Sequence, residues 1–337
     1  MKSILFIRLR LLGDIIFTIP ALQIYKEHFP ESKIYYVVEK KFEEIARLIP
    51  GIHDVIVLPR KMTLKEHFQF RKTIKSLDID TVVDFHSGPK SALLTRITGA
   101  KKRIGYITPN RNYAYTHKTP RTLGNTPTHS TFNQARLLEH LGITGITPEN
   151  IPGYPPIDPA ETEIGEDVKK ILTENRDRKK VAVHVGAGNR FRDWGIENFA
   201  ALIEKLTEDN VTVFLVGNSR EEKEKGKYLN ERFPIHDFTG KLSIAETLFL
   251  ISNSTVYCGV DSGPLHLASL TPTPLVALYG PNIPEISGPW RQTDVTIVQL
   301  PLKCRPCSQR KCIYDTIRCM KNIKTDVVHE AINRYLE

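Results

Sequence analysis

A chain of 337 residues that is 40% hydrophobic and 25% charged is too apolar to stay unfolded and long enough for two α/β domains. No segment approaches the roughly 18 consecutive apolar residues of a membrane span, and the start MKSILFIRLR meets arginines too soon for a signal peptide, so a cytoplasmic protein is expected. The net charge of +9 is concentrated, with 14 Lys or Arg against four acids over residues 60–121. Such a surplus suits an anionic partner (nucleic acid, a phosphorylated glycolipid or membrane headgroups), or is only a solvated face.

In chain order the first half alternates strand-like and helical runs: ILFI, a helix over 15–28, KIYYVV, a helix at 41–48, VIVL, a helix at 64–76, then TVVDF. Strands alternating with helices predict βαβ units and a parallel sheet. Residues 146–161 hold Pro148, Pro152, Pro155, Pro156 and Pro159 and read as a linker. The pattern then restarts with KKVAVHV, a helix at 196–207, VTVFLV, helices at 221–233 and 245–252, TVYCGV, a helix from Pro264 and PLVALYG; residues 327–335 look like a final helix. Two Rossmann-like halves follow, over 1–160 and 161–323, with a C-terminal helix in 324–337.

Four turns carry chemistry. Gly13 and Asp14 close the first strand in RLRLLGDIIFTIP; Asp is a favoured N-cap, and the same place is where open α/β sheets put ligands. In the second half Asp261-Ser262-Gly263-Pro264-Leu265-His266 follows TVYCGV, with Pro264 suited to a first helical turn and Gly263 allowing close backbone approach to a phosphate at a helix N-terminus. An ordinary capped helix with a packed His is the bland alternative. The turn Gly186-Ala187-Gly188-Asn189-Arg190-Phe191-Arg192 offers loop amides and arginine forks to a diphosphate. The turn at Gly217 carries Glu221, either a ribose-binding carboxylate or a first-turn helix acid.

The set GD-I-F-T-I-P-A-L, HVGAG…R-D-W, DFTGKLSIAETLFLISNS and DSGPLHLA…P-T-P-L-V-A-L-Y-G-P resembles the ADP-heptose:lipopolysaccharide heptosyltransferases of glycosyltransferase family 9, in order and over nearly the whole chain. The resemblance implies a GT-B fold: an N-terminal acceptor domain and a C-terminal sugar-nucleotide domain facing across a cleft. It also implies inverting transfer without a metal and a monomer. Asp14 falls on the family's general base. Arg192, Glu221, Asp261, Ser262, Gly263 and His266 fall on its donor site, with Gly186 and Gly188 in the adjoining loop; Arg8, Arg10 and Gly13 are candidate acceptor contacts. Arg192 stands where the family has Lys, and Gly195 where a Pro is usual.

Cys304, Cys307, Cys312 and Cys319 cluster as C-x2-C-x4-C-x6-C, a candidate structural metal site, while Cys258 sits alone in an apolar strand as core. The expected activity is transfer of heptose from ADP-heptose to Kdo-lipid A or a heptosylated inner core, with peripheral contact at the inner membrane and no nucleic acid. A family 9 enzyme with another sugar nucleotide, or a non-catalytic basic surface-binding protein, are the competing readings.

Overall fold

The structure, a computed structural model, describes residues 3–121, 127–157, 159, 164–290, 294–314 and 316–337. The chain divides into two compact units, Met1–Tyr154 and Pro155–Glu337, so the division falls inside the proline-rich stretch.

In the first unit β1 (Ser3–Ile7), β2 (Lys33–Glu39), β3 (Asp54–Leu58), β4 (Thr81–Asp84), β5 (Lys102–Tyr106) and β6 (His117–Thr119) form one sheet in the order β3-β2-β1-β4-β5-β6. Every pairing is parallel. The expected helix over 15–28 is two helices, α1 (Leu12–Ile16) and α2 (Ile19–His28). Pro20 has no N–H for the Ile16 carbonyl, so the ladder breaks and restarts with Pro20 in the first turn of α2. Further along come α3 (Glu43–Leu48), α4 (Leu64–Ser76), α5 (Pro89–Thr98) and α6 (Ser130–Ala135). The start of α4 is fixed by a capping box: Thr63 accepts from the Glu66 amide, and Glu66 accepts from the Thr63 amide.

The second unit repeats the plan. Its strands β7 (Lys180–His184), β8 (Thr212–Val216), β9 (His236–Asp237), β10 (Val256–Val260), β11 (Leu275–Tyr279) and β12 (Val295–Gln299) lie in the order β12-β11-β10-β7-β8-β9, again all parallel. Read from the other edge this is the strand order of the first sheet, so both units are doubly wound. Around it lie α7 (Glu166–Glu174), α8 (Ile196–Glu208), α9 (Arg220–Asn230), α10 (Ile244–Ser252), α11 (Gly263–Ala268), α12 (Pro284–Ser287), α13 (Arg318–Lys321) and α14 (Thr325–Asn333). The C-terminal helix belongs to this unit, since Val328, Ala331 and Ile332 join its core.

The core shows why near-continuous apolar strands become parallel sheets covered on both faces. Val181, Val183, Val213, Leu215, Val256, Cys258, Val276 and Leu278 pack on one face with α8 and α14. Their neighbours Ala182, Phe214, Val216, Tyr257, Leu275, Ala277 and Tyr279 pack on the other with Leu250 and Ile251 of α10. The period of two sorts every residue, and Cys258 is core. Among the described residues no helix is long and apolar enough to cross a membrane.

Trp194 anchors one face: fully buried, edge-on to Phe199 at 5.0 Å, its indole N–H donating to the Ile323 carbonyl at 2.9 Å. Replacing it with Ala is expected to cost about 3–5 kcal/mol in equilibrium urea unfolding, and Trp194→Phe, which keeps most of the volume, markedly less.

Candidate active site

In each sheet the strand order reverses at a central pair, β1 and β4 in the first and β7 and β10 in the second. Open α/β sheets bind ligands at the carboxyl ends of such strands. All the polar clusters described below sit there.

At the first switch point Arg8, 6% exposed, leaves the end of β1 and bonds the Phe85 carbonyl through Nη1 (2.7 Å) and Asp14 Oδ2 through Nη2 (2.6 Å). Asp14 is not the helix N-cap: it is the third residue of α1, and its Oδ2 also accepts from the Leu11 amide at 3.2 Å. Both contacts fall on Oδ2, and Oδ1 has no partner among the described residues. Burial works to raise the Asp14 pKa, but the charge of Arg8 and the Leu11 amide outweigh it and hold the carboxyl below the usual range. Gly13 is buried within α1, while Arg10 is exposed. His86 stands near Arg8, Arg10 and Asp14; burial first, then the charge of Arg8, push its pKa down to about 4, so the ring is neutral at pH 7.

The turn carrying His86 is shaped by Asp84, fully buried at the end of β4. Its Oδ1 accepts from the His86 and Ser87 amides, both at 2.9 Å, and its Oδ2 from the Tyr115 hydroxyl at 2.8 Å. Burial nevertheless leaves its pKa raised. Ser87 takes a left-handed conformation (φ 50°) that these two amide bonds hold in place. Two arginines of the basic stretch join this loop, Arg111 donating to the Ser87 carbonyl (3.2 Å) and Arg121 to the His86 carbonyl (3.2 Å). Bonded to carbonyls, they keep their full charge. The rest of the stretch is dispersed, with Arg71, Lys72 and Lys75 exposed on α4.

At the second switch point His184 ends β7 and bridges two loops, its Nε2 3.1 Å from Glu222 Oε1 and its Nδ1 3.3 Å from Ser262 Oγ. Glu222 Oε2 accepts from the Asn218 and Ser219 amides at 2.6 and 2.7 Å. Burial alone would raise the Glu222 pKa; His184 and these amides lower it to about 2. A β-carbon on Gly186 would strike the Glu222 side chain, so glycine is what lets the carboxylate lie under that loop; Gly188 faces open space. Glu221, by contrast, is exposed and pairs with Lys225 at 2.8 Å. It is Glu222, its neighbour, that reaches the strand ends. The Ser219-x-x-Glu222 spacing of a capping box is the signal that would have found it.

Asp261, 2% exposed, follows β10. Its Oδ2 lies 3.2 Å from Arg192 Nη1 and 3.2 Å from Asn282 Nδ2, and His266 Nε2 stands 3.9 Å from Oδ1. Burial raises its pKa, and Arg192 works against that. Ser262 caps α11 in extended conformation, with Gly263 and Pro264 opening the helix. With only six residues, α11 has a weak dipole, and Arg192 is the principal cation of this loop. Gly195 has φ 106°, a conformation closed to proline, whose ring fixes φ near −65°.

The four cysteines of the tail line one cavity of about 60 Å³. They are free thiols. Among the described residues no three His, Cys, Asp or Glu side chains come together as a metal site, so the candidate cysteine site is not assembled in the structure.

Two doubly wound sheets, each with polar loops at its own switch point, define a two-domain Rossmann-like protein of the GT-B type. A profile of glycosyltransferase family 9 (heptosyltransferase) matches residues 67–318, and the chain belongs to that family and is a glycosyltransferase. The chain is 24% identical to lipooligosaccharide heptosyltransferase 2 of Campylobacter jejuni, covering 97% of this chain and 96% of that one. Its fold matches ADP-heptose LPS heptosyltransferase II of Escherichia coli with a TM-score of 0.80 (18% identity, 100% and 98% coverage). It also matches E. coli heptosyltransferase WaaC with ADP at 0.74 (19% identity, 99% and 100% coverage).

Because the Glu222 pKa is lower folded than unfolded, the stability it contributes is whole above about pH 4.5 and is lost as pH falls towards 2. Urea unfolding across that window should show a steeper loss in the wild type than in Glu222→Gln.

Proposed function

We propose that this enzyme transfers heptose from ADP-heptose to the Kdo/heptose inner core of lipopolysaccharide, with inversion, without a metal, and with Asp14 as general base. The observation that carries this reading is Asp14 itself: ionised, fixed through one oxygen by Arg8 and the Leu11 amide, and presenting the other at a switch point. The names of the relatives supply the donor and acceptor classes.

In this reading Oδ1 takes the proton of an acceptor hydroxyl as that oxygen bonds the anomeric carbon, and the bond from that carbon to ADP breaks. Arg192 faces the leaving diphosphate, with Ser262, Gly263 and His266 beside it and the Gly186–Gly188 turn across the switch point. Arg8, first read as an acceptor contact, spends both terminal nitrogens within the protein, and its role here is to keep the base ionised and aimed. Arg10, Arg111 and Arg121 supply charge for the acidic acceptor and for contact with an anionic membrane surface. The units divide the work: the first supplies the base, the second the leaving-group site.

Incubating the protein with Kdo-terminated lipid A and ADP-heptose in EDTA should add one heptose by mass spectrometry. Asp14→Asn should lower the rate by about 10²–10⁴ while ADP binding persists. Full activity in the variant, or no transfer without added metal, would overturn the mechanism. Arg8→Met removes the cation that depresses the Asp14 pKa, so the acid limb of kcat/KM should move up by about 1–3 pH units.

A further inference from the structure

The cysteine-rich segment, residues 304–319, has no part in the chemistry above, yet two polar arms run from it to the donor loop. Gln309, in a left-handed turn (φ 55°), accepts through Oε1 from Arg192 Nε at 2.8 Å and from Asn189 Nδ2 at 3.0 Å. Arg305 donates to the Asn282 carbonyl at 2.7 Å, and the Cys307 amide to the Pro281 carbonyl at 3.0 Å. The arms converge, because Arg192 and Asn282 are the two donors that hold the buried Asp261 Oδ2.

We propose that this segment is a working part of the donor site, with Gln309 the positioning residue for Arg192. The inference rests on the reading of Arg192 as a diphosphate ligand. A guanidinium tied only at Nη1 to Asp261 can swing about that contact. Tied also at Nε, it presents its remaining N–H groups in one direction, so the ordering of a flexible side chain is done before the ligand arrives. The thiol-lined cavity is walled by Phe191 and Arg305, next in sequence to Arg192 and on the second arm, and Cys307 lies two residues from Gln309.

The test is calorimetric titration of ADP into the full-length protein and its Gln309→Gly, Gln309→Glu and Arg192→Ala variants, with thermal unfolding alongside. Glycine accepts the left-handed backbone, so Gln309→Gly removes the amide without straining the turn. Expected are a loss of ADP affinity of about 3–10-fold in Gln309→Gly, its recovery in Gln309→Glu, which keeps the acceptor, and unchanged unfolding midpoints. If Arg192→Ala weakens ADP binding and Gln309→Gly does not, or Gln309→Glu fails to recover it, the positioning role is overturned while the diphosphate reading stands. If Arg192→Ala leaves binding intact, the diphosphate reading falls and this inference with it. Should Gln309→Gly not fold, maleimide labelling of the exposed Cys307 in the wild type decides: weaker ADP binding supports the coupling, and unchanged binding overturns it.

Discussion

A carboxylate buried near the end of a parallel strand is costly unless donors converge on it, and Asp84, Glu222 and Asp261 show how this chain meets that constraint around its switch points. Asp84 is met by two backbone amides and a tyrosine hydroxyl. Glu222 is met by two amides and His184, and Asp261 by Arg192 and Asn282. In each case satisfying the carboxylate fixes a loop, and each loop carries groups assigned to the ligand in the proposed mechanism. The turn that aims Arg8 at Asp14 is set by Asp84, and Arg192 is oriented by Asp261. The geometry of the candidate site is thus downstream of electrostatic housekeeping at the strand ends.

If Asp14 is the base, as proposed, Arg8 illustrates the trade this imposes on it. By stabilising the carboxylate it ensures that Asp14 is ionised at neutral pH, and by the same interaction it makes Asp14 less basic. A neutral His86 beside the pair adds no second positive charge to deepen that effect. In the proposed transfer such a weakly basic carboxylate suits an acceptor hydroxyl that becomes acidic only as its bond to the anomeric carbon forms.

Much of the scaffold was legible because buried parallel strands are continuous apolar runs: ILFI, KIYYVV, VTVFLV and PLVALYG each became a strand. Three strands that the reading lacks carry no such signal, although β12 (VTIVQ), also absent from it, does. β5 begins with Lys102 and Arg103, β6 is only His117–Thr119, and β9 only two residues, so each is defined by the neighbour it pairs with. The site was legible to the level of the loop. That Asp14 and Asp261 sit in ligand-type turns follows from a strand, a turn and a helix in succession. Which of Glu221 and Glu222 points inward depends on the room left by Gly186, a fact of tertiary packing. Gln309 had no local mark at all, since what selects it is an arginine more than a hundred residues away.

The two switch-point loops share a short text: Asp84 is followed by Ser87-Gly88-Pro89 and Asp261 by Ser262-Gly263-Pro264, and each triplet opens a helix. In the first, two inserted residues let the aspartate bond its own loop. In the second, the loop is shorter and the aspartate takes side chains from elsewhere. One backbone plan, written twice in the same chain, has been put to separate ends by altering the spacer and the visiting side chains. Fold and chemistry are therefore loosely coupled here: the two sheets share one strand order, and the chemical difference between the halves resides in a few loop residues.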